Sequence, residues 1–305
     1  MKRSSLTYLG LLFILSCVHI NAQEQDDSLF TQDRINQTLD ERWELTPKTR
    51  KSTFTISPYK PIYVLPFRYV NKPNERPVSF SPNNVTETAK PYDNLEIKFQ
   101  LSFKTKISQG LFFGRGDLWL GFTQTANWQA YNGDISRPFR ELNYEPELIF
   151  NYPLFIDING FKIKMAGFAL NHQSNGQSLP ESRSWNRFIF HLGMEYKNWT
   201  FFAKPWYRFK EKSTADDNPQ ITDYLGRGEF TTIYSNWGQV FTLMIRSNLR
   251  FNSEYRGYTE LTWSYPIKNH LKAFVAISNG YGDSMVDYNW NQTNIGIGIT
   301  LMEWL

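Results

Sequence analysis

Apolar and polar residues take turns along most of this chain. The clearest run is Leu95-Glu96-Ile97-Lys98-Phe99-Gln100-Leu101-Ser102-Phe103-Lys104, apolar at odd positions and polar at even ones. A period of two puts the two sets on opposite faces of a strand, one greasy and one wet. Such runs recur to the end of the chain. They predict twelve strands, roughly over 59–67, 94–107, 116–127, 144–155, 160–173, 185–196, 198–210, 221–234, 237–247, 253–265, 269–280 and 292–304. Asp157-Ile158-Asn159-Gly160, Tyr196-Lys197-Asn198 and Ser235-Asn236-Trp237-Gly238 are tight turns, whereas 68–93, 128–143, 174–184, 211–220 and 281–291 are long connections. Short turns at one end and long loops at the other are the pattern of an antiparallel transmembrane β-barrel. An even strand count puts both termini at the short-turn end. That end is read as periplasmic, with odd-numbered strands running outward.

Composition sharpens the choice. The chain has 24 Phe, 17 Tyr and 10 Trp, yet its mean hydropathy is −0.50. A polar average with many large rings suits a barrel, where only alternate positions meet lipid. No run after residue 22 is long and apolar enough for a membrane helix. The alternatives are a soluble β-sandwich or a lipocalin-like barrel, which hide the apolar face inside. Against them stand large, often charged wet-face residues (Glu96, Lys98, Gln100, Lys104, Glu254, Arg256, Glu260), which fit a polar lumen. The chain is also longer than an eight-stranded barrel needs. The fold expected is therefore all-β, a twelve-stranded antiparallel transmembrane barrel over residues 56–305 with a polar N-terminal tail or plug over 23–55. Lys2 and Arg3 before the apolar stretch Leu6 to Ile20, with a cleavage point after Ala22, give residues 1–22 the form of a secretory signal. An uncleaved anchor and a lipoprotein box at Cys17, the only cysteine, are its rivals. A net charge of +4 without basic clusters gives no reason to expect nucleic acid as a partner.

One stretch carries candidate chemistry. Asn171-His172-Gln173-Ser174-Asn175-Gly176 is followed by Ser182-Arg183-Ser184-Trp185-Asn186-Arg187 where two strands meet in a hairpin. A serine needs a base before it can attack a carbonyl at neutral pH, and the base needs a third group to hold its tautomer. Parity then says which way the group faces. His172 and Ser174 fall in the row of Phe168 and Leu170, and Asn186 in the row of Phe188 and Phe190. Arg187, His191 and Glu195 fall in the opposite row and belong in the lumen. His172 can face Asn186 across the hairpin, at the outer end of the barrel. The bland reading is that His172 and Ser174 mark a strand end at headgroup depth. The sharper one is a nucleophile aimed at a lipid ester. Gln124, in a row with Leu118, Leu120 and Phe122, is a second polar residue on the lipid face. A second copy across a two-fold axis would satisfy its amide; a register slip turning it inward is the alternative.

These blocks resemble outer-membrane phospholipase A of Gram-negative bacteria. The similarity extends through Pro138-Phe139-Arg140, Asn143-Tyr144-Glu145-Pro146, Lys204-Pro205-Trp206-Tyr207, Asp216-Asp217-Asn218-Pro219, Tyr281-Gly282-Asp283-Ser284 and Asp287-Tyr288-Asn289, from about residue 55 to the end. The resemblance implies a twelve-stranded barrel that cleaves phospholipid and lysophospholipid esters as a calcium-dependent homodimer. It makes Ser174 the nucleophile, His172 the base and Asn186 its orienter. It assigns the oxyanion to the Gly176 N–H and to water on a bound calcium ion (Ca2+). That ion would be held by the Ser182 hydroxyl, the Gln177 carbonyl and, from a second subunit, the carbonyl at Ser136. Gln124 matches a dimer-interface glutamine. Three positions depart from the family pattern. Gln177 replaces an arginine of which only the carbonyl is used. Leu179 replaces an acidic residue of a second calcium site, to which Asp217 could contribute. The chain ends in Trp304-Leu305 rather than a terminal phenylalanine. The competing functions are a catalytically silent barrel or pore, and a soluble lipid-binding protein.

Overall fold

The computed structural model describes residues 37–304; the expected signal segment, Cys17 and the first part of the polar tail lie outside the described residues. Twelve long antiparallel strands close into a barrel. They are β2 (Ile62–Val70), β3 (Leu95–Ser108), β4 (Asp117–Trp128), β5 (Phe139–Ile158), β6 (Phe161–Ser174), β7 (Ser184–Tyr196), β8 (Trp199–Arg208), β9 (Gly228–Asn236), β10 (Gln239–Ser247), β11 (Gly257–Lys268), β12 (Leu271–Tyr281) and β13 (Asn291–Met302). Each pairs with the next, and β13 pairs with β2, so these twelve strands close into a ring. A short β1 (Ile56–Pro58) pairs with β3 below β2. The ladder breaks between them because Pro61 has no N–H to give. The Lys60 N–H donates instead to the Ser102 hydroxyl at 3.1 Å.

The turns explain the polarity of the barrel. Asn159-Gly160 and Trp237-Gly238 have positive φ at both positions, the geometry of a type I′ hairpin turn. These turns share one end with Lys197-Asn198 and Asn269-His270, while the long loops share the other.

Alternation sorts the residues as their pattern predicts. Ile295, Ile297, Ile299 and Leu301 on β13 face outward, as do Leu101 and Phe103 on β3. Glu96, Lys98 and Lys104 are buried inside. An apolar belt around a closed barrel needs lipid as its solvent, which excludes the sandwich and lipocalin readings. Glu96 is the hub of the lumen. It accepts from Arg140 Nε at 2.9 Å, Asn127 at 2.7 Å and Gln129 at 3.3 Å, and is paired with Arg68. Arg68 and Lys98 also meet Asp283, at 2.6 and 3.0 Å. The lumen is not polar throughout. Trp43, Trp119, Trp185, Trp206 and Tyr288 are packed within it.

Two segments enter the lumen from opposite ends. At the short-turn end, α1 (Leu39–Trp43) is capped by Thr38 and buries Leu39 and Trp43. The Leu39 N–H donates to Glu195 at 2.8 Å, and Arg42 to the Glu303 carbonyl at 2.8 Å. At the loop end, residues 282–290 fold inward. The N–H groups of Met285 and Val286 donate to Asn143 and Glu141, at 3.1 and 2.9 Å.

The structure moves several expected boundaries. The strand expected over 221–234 starts only at Gly228, because Ile221–Tyr224 form a helical turn, α2, after Pro219. The strand expected over 253–265 starts at Gly257. Glu254 and Arg256 therefore lie in a loop rather than on the wet face, and Glu254 pairs with Arg250 at 2.6 Å. β5 is longer than the pattern predicts, running from 139 to 158.

Candidate active site on the outer face

The candidate residues stand at the loop end of β6 and β7. The register places His172 opposite Asn186 and Ser174 opposite Ser184. Phe168 and Leu170, on the same face of β6, are 41% and 47% exposed, which fixes this face as the lipid side. His191 and Arg187 are buried on the lumen side.

His172 Nδ1 lies 2.8 Å from Asn186 Oδ1. The Asn186 amide orientation is set by its other end, since Nδ2 donates to Glu211 Oε1 at 3.4 Å and a carboxylate can only accept. Oδ1 must then accept from Nδ1–H. This leaves Nε2 as the unprotonated, basic nitrogen of the neutral ring. The Phe209 N–H also donates to the Asn186 carbonyl at 2.9 Å, so the chain after β8 is tied to Asn186 twice. Glu211 lies outside the membrane-spanning strands. Partial burial raises its carboxyl above the ordinary value, Arg208 and the Asn186 hydrogen bond act against that, and Asp216 and Asp217 add to it.

The loop that carries Gly176, Gln177 and Ser182 is fixed from below. Asn175 and Arg183 are buried. The Asn175 side chain accepts from the Arg183 N–H at 2.9 Å and donates to the Glu181 carbonyl at 2.7 Å. The Arg183 guanidinium donates to the carbonyls of Pro180 and Ser182, at 3.0 and 2.8 Å. Gly176 has φ +62°, and a Cβ there would stand 3.1 Å from the Tyr144 ring. The exposed Gln177 and Leu179 follow. The Ser182 hydroxyl donates to Asp217 Oδ2 at 2.6 Å.

One register row crosses four strands: Gln124 on β4, Tyr144 on β5, Ser174 on β6 and Ser184 on β7. Gln124 has Leu120 on its own face and Leu101 beside it, both about half exposed, so it faces lipid; the slip that would turn it inward is absent. Ser136 lies on a different loop, residues 129–138, and is exposed with φ +64°. An open, mainly apolar groove is lined by Leu120, Leu148, Leu170 and Phe209 together with His172 and Asn186.

Two contributors escape sequence reasoning. Tyr144 lies within a block that marked the resemblance, but only the register puts it beside Ser174. Glu211 sits in an aperiodic loop, and no pattern points to it.

The family model for phospholipase A1 matches residues 39–301. A putative phospholipase A1 of Neisseria meningitidis serogroup B is 38% identical over 264 residues, 84% of this chain and 68% of its own length. The phospholipase A1 of Salmonella typhimurium is 36% identical over 248 residues, 81% of this chain and 82% of its own. Among solved structures, outer membrane phospholipase A from Escherichia coli superposes with a TM-score of 0.76 at 31% identity, covering 87% of this chain and 98% of that one. The Salmonella typhi outer membrane phospholipase dimer with bound calcium gives 0.74 at 32% identity, over 84% and 96%. A match that spans the whole barrel at this identity sets aside the silent pore and the soluble lipid carrier: the chain belongs to the phospholipase A1 family and is an outer-membrane enzyme that hydrolyses phospholipids.

Proposed function

We propose that Ser174, His172 and Asn186 form the catalytic triad, acting on phospholipid and lysophospholipid esters from the lipid side of the barrel. The observation that carries this reading is the 2.8 Å contact between His172 Nδ1 and Asn186 Oδ1 on the lipid-facing side, with Ser174 two residues along the same face. In the proposed cycle Nε2 of His172 takes the Ser174 hydroxyl proton as Oγ adds to the ester carbonyl. Asn186 holds the ring in the Nδ1–H tautomer. The Gly176 N–H donates to the oxyanion, an interaction worth roughly 3–4 kcal/mol in the transition state. Collapse expels the alcohol, which takes its proton from His172. Water, deprotonated by the same nitrogen, then releases the fatty acid. The groove walled by Leu120, Leu148 and Leu170 suits an acyl chain leading to this point.

Calcium is part of the proposal. Ser182, Gln177 and Ser136 of a second copy would hold it, and the bound ion would supply positive charge and ordered water to the oxyanion. The donor set fits, because every ligand is a hard oxygen and the Asp217 carboxylate stands 2.6 Å from the Ser182 hydroxyl. Leu179, 58% exposed, offers no oxygen for a second site. The active form proposed is a homodimer meeting through the face that carries Gln124. Two observations support it: a polar amide in an apolar row, and the register row that links Gln124 to Ser174. Hydrolysis of phospholipid by detergent-folded protein tests the triad. Ser174→Ala and His172→Ala should each lose about 10⁴-fold or more in rate with the barrel intact. Asn186→Ala should lose less, because an orienter is partly replaceable. A Ser174→Ala protein that keeps a tenth of the activity would overturn the assignment.

A further inference from the structure

We propose that Glu211 is a fourth, positioning member of the site, one that supplies through Asn186 the negative charge that a neutral asparagine lacks. This rests on the triad proposed above. A triad with aspartate does two things: it holds the histidine tautomer, and it stabilises the imidazolium formed when the nucleophile gives up its proton. Asparagine does the first through Oδ1 but has no charge for the second. Here the amide lies between ring and carboxylate. The chain runs from His172 Nδ1–H to Asn186 Oδ1 at 2.8 Å, and from Asn186 Nδ2–H to Glu211 Oε1 at 3.4 Å. Hydrogen bonds in series polarise one another, so a carboxylate at the far end makes Oδ1 a better acceptor for a charged ring. The second link is long, as catalytic hydrogen bonds often are before substrate binds.

The surroundings leave Glu211 available for this role. The nearest cation on β8, Arg208, is already paired with Asp216 at 2.6 Å. On the same loop, Asp217 is engaged with Ser182. The Phe209 N–H, held on the Asn186 carbonyl, fixes the approach of the segment two residues before Glu211. Partial burial is the first cause of Glu211's raised carboxyl, with Asp216 and Asp217 adding to it and the Asn186 hydrogen bond drawing it back toward the charged form. Lys210 and Lys212 flank it in the chain; Lys212 is exposed, as is Lys210.

The test uses full-length folded protein, with rates expressed per folded barrel counted by heat-modifiable electrophoretic mobility. Glu211→Gln keeps a side-chain oxygen that accepts from Nδ2 but removes the charge. The expected result is a fall in kcat of about three- to tenfold with KM within about twofold, the scale of one partly exposed charge-assisted interaction. The acidic limb of the kcat/KM profile should also move to lower pH, because an imidazolium deprived of a nearby anion loses its proton more readily. Asn186→Asp should be impaired by two carboxylates in contact. The double variant Asn186→Asp with Glu211→Gln should regain activity over Asn186→Asp alone. A residue that merely braces the loop predicts neither the limb shift nor the rescue. An unmoved limb in Glu211→Gln, or a double variant no better than Asn186→Asp, overturns the proposal. Ser174→Ala, run alongside, separates the two failures: activity there would sink the triad itself, whereas an inactive Ser174→Ala with a normal Glu211→Gln sinks only the fourth member.

Discussion

Asn186 and Gly176 show how single residues set the proposed chemistry. An amide hydrogen-bonded at both ends has only one sensible orientation, and that orientation selects the histidine tautomer. Gly176 is favoured for two independent reasons: its φ of +62° disfavours any side chain, and a Cβ would press on the Tyr144 ring at 3.1 Å. Gly176→Ala should therefore turn or displace the N–H proposed for the oxyanion, lowering kcat by about 10- to 100-fold with little change in unfolding. Steady-state kinetics beside a urea titration check this, and equal kinetics would remove Gly176 from the site. At this scale much was legible. The two-residue period put His172 and Asn186 on the lipid side, and their places at the end of one strand and the start of the next let them face each other, as the register has them. Glu211 was not legible. Its place depends on how the nineteen residues between β8 and β9, 209–227, fold back on β7, and the stretch before α2 has no period to read.

At the scale of elements, alternation located the strands but not all their ends. The pattern continues through Ile221 and Tyr224, where local bonding after Asn218-Pro219 favours a helical turn. The loop of residues 282–290 shows why side-chain pattern says little about a buried loop: it enters the lumen because Asn143 and Glu141 offer acceptors to its backbone. We propose that the polar segment over 37–51 likewise serves as a plug at the short-turn end, where Lys104 donates to the Arg42 carbonyl at 2.7 Å and lies over the Trp43 ring. The lumen network between these segments is a sensitive element. Glu96→Ala would leave Arg68 and Arg140 short of a shared partner in a buried site, a loss of about 3–5 kcal/mol. A lower midpoint in urea, read by tryptophan fluorescence, is the expected outcome; an unchanged midpoint would mean that water replaces the carboxylate.

For the whole molecule, the proposed calcium links chemistry to assembly. An ion shared between Ser182 and Gln177 of one copy and Ser136 of another binds the dimer better than the monomer, and so shifts the population toward the dimer. Chelation should therefore reduce activity and weaken association together, seen as sedimentation and fatty-acid release falling over one range of free calcium. Ser182→Ala should raise the calcium needed, while Gln177→Ala should change it little, since only a backbone oxygen is used. Gln124→Ala should weaken the dimer without altering the chemistry of a dimer once formed. Tight calcium binding by a crosslink-free monomer would contradict the linkage. The proposed nucleophile is the lipid-facing Ser174. It is tested most directly by trapping the covalent intermediate with a long-chain activated ester in calcium and mapping the acylated peptide by mass spectrometry. A single acyl group on Ser174, absent from Ser174→Ala and from chelated protein, is the expected outcome; an acyl group on any other residue, or undiminished turnover with Ser174 unmodified, would rule Ser174 out as the nucleophile.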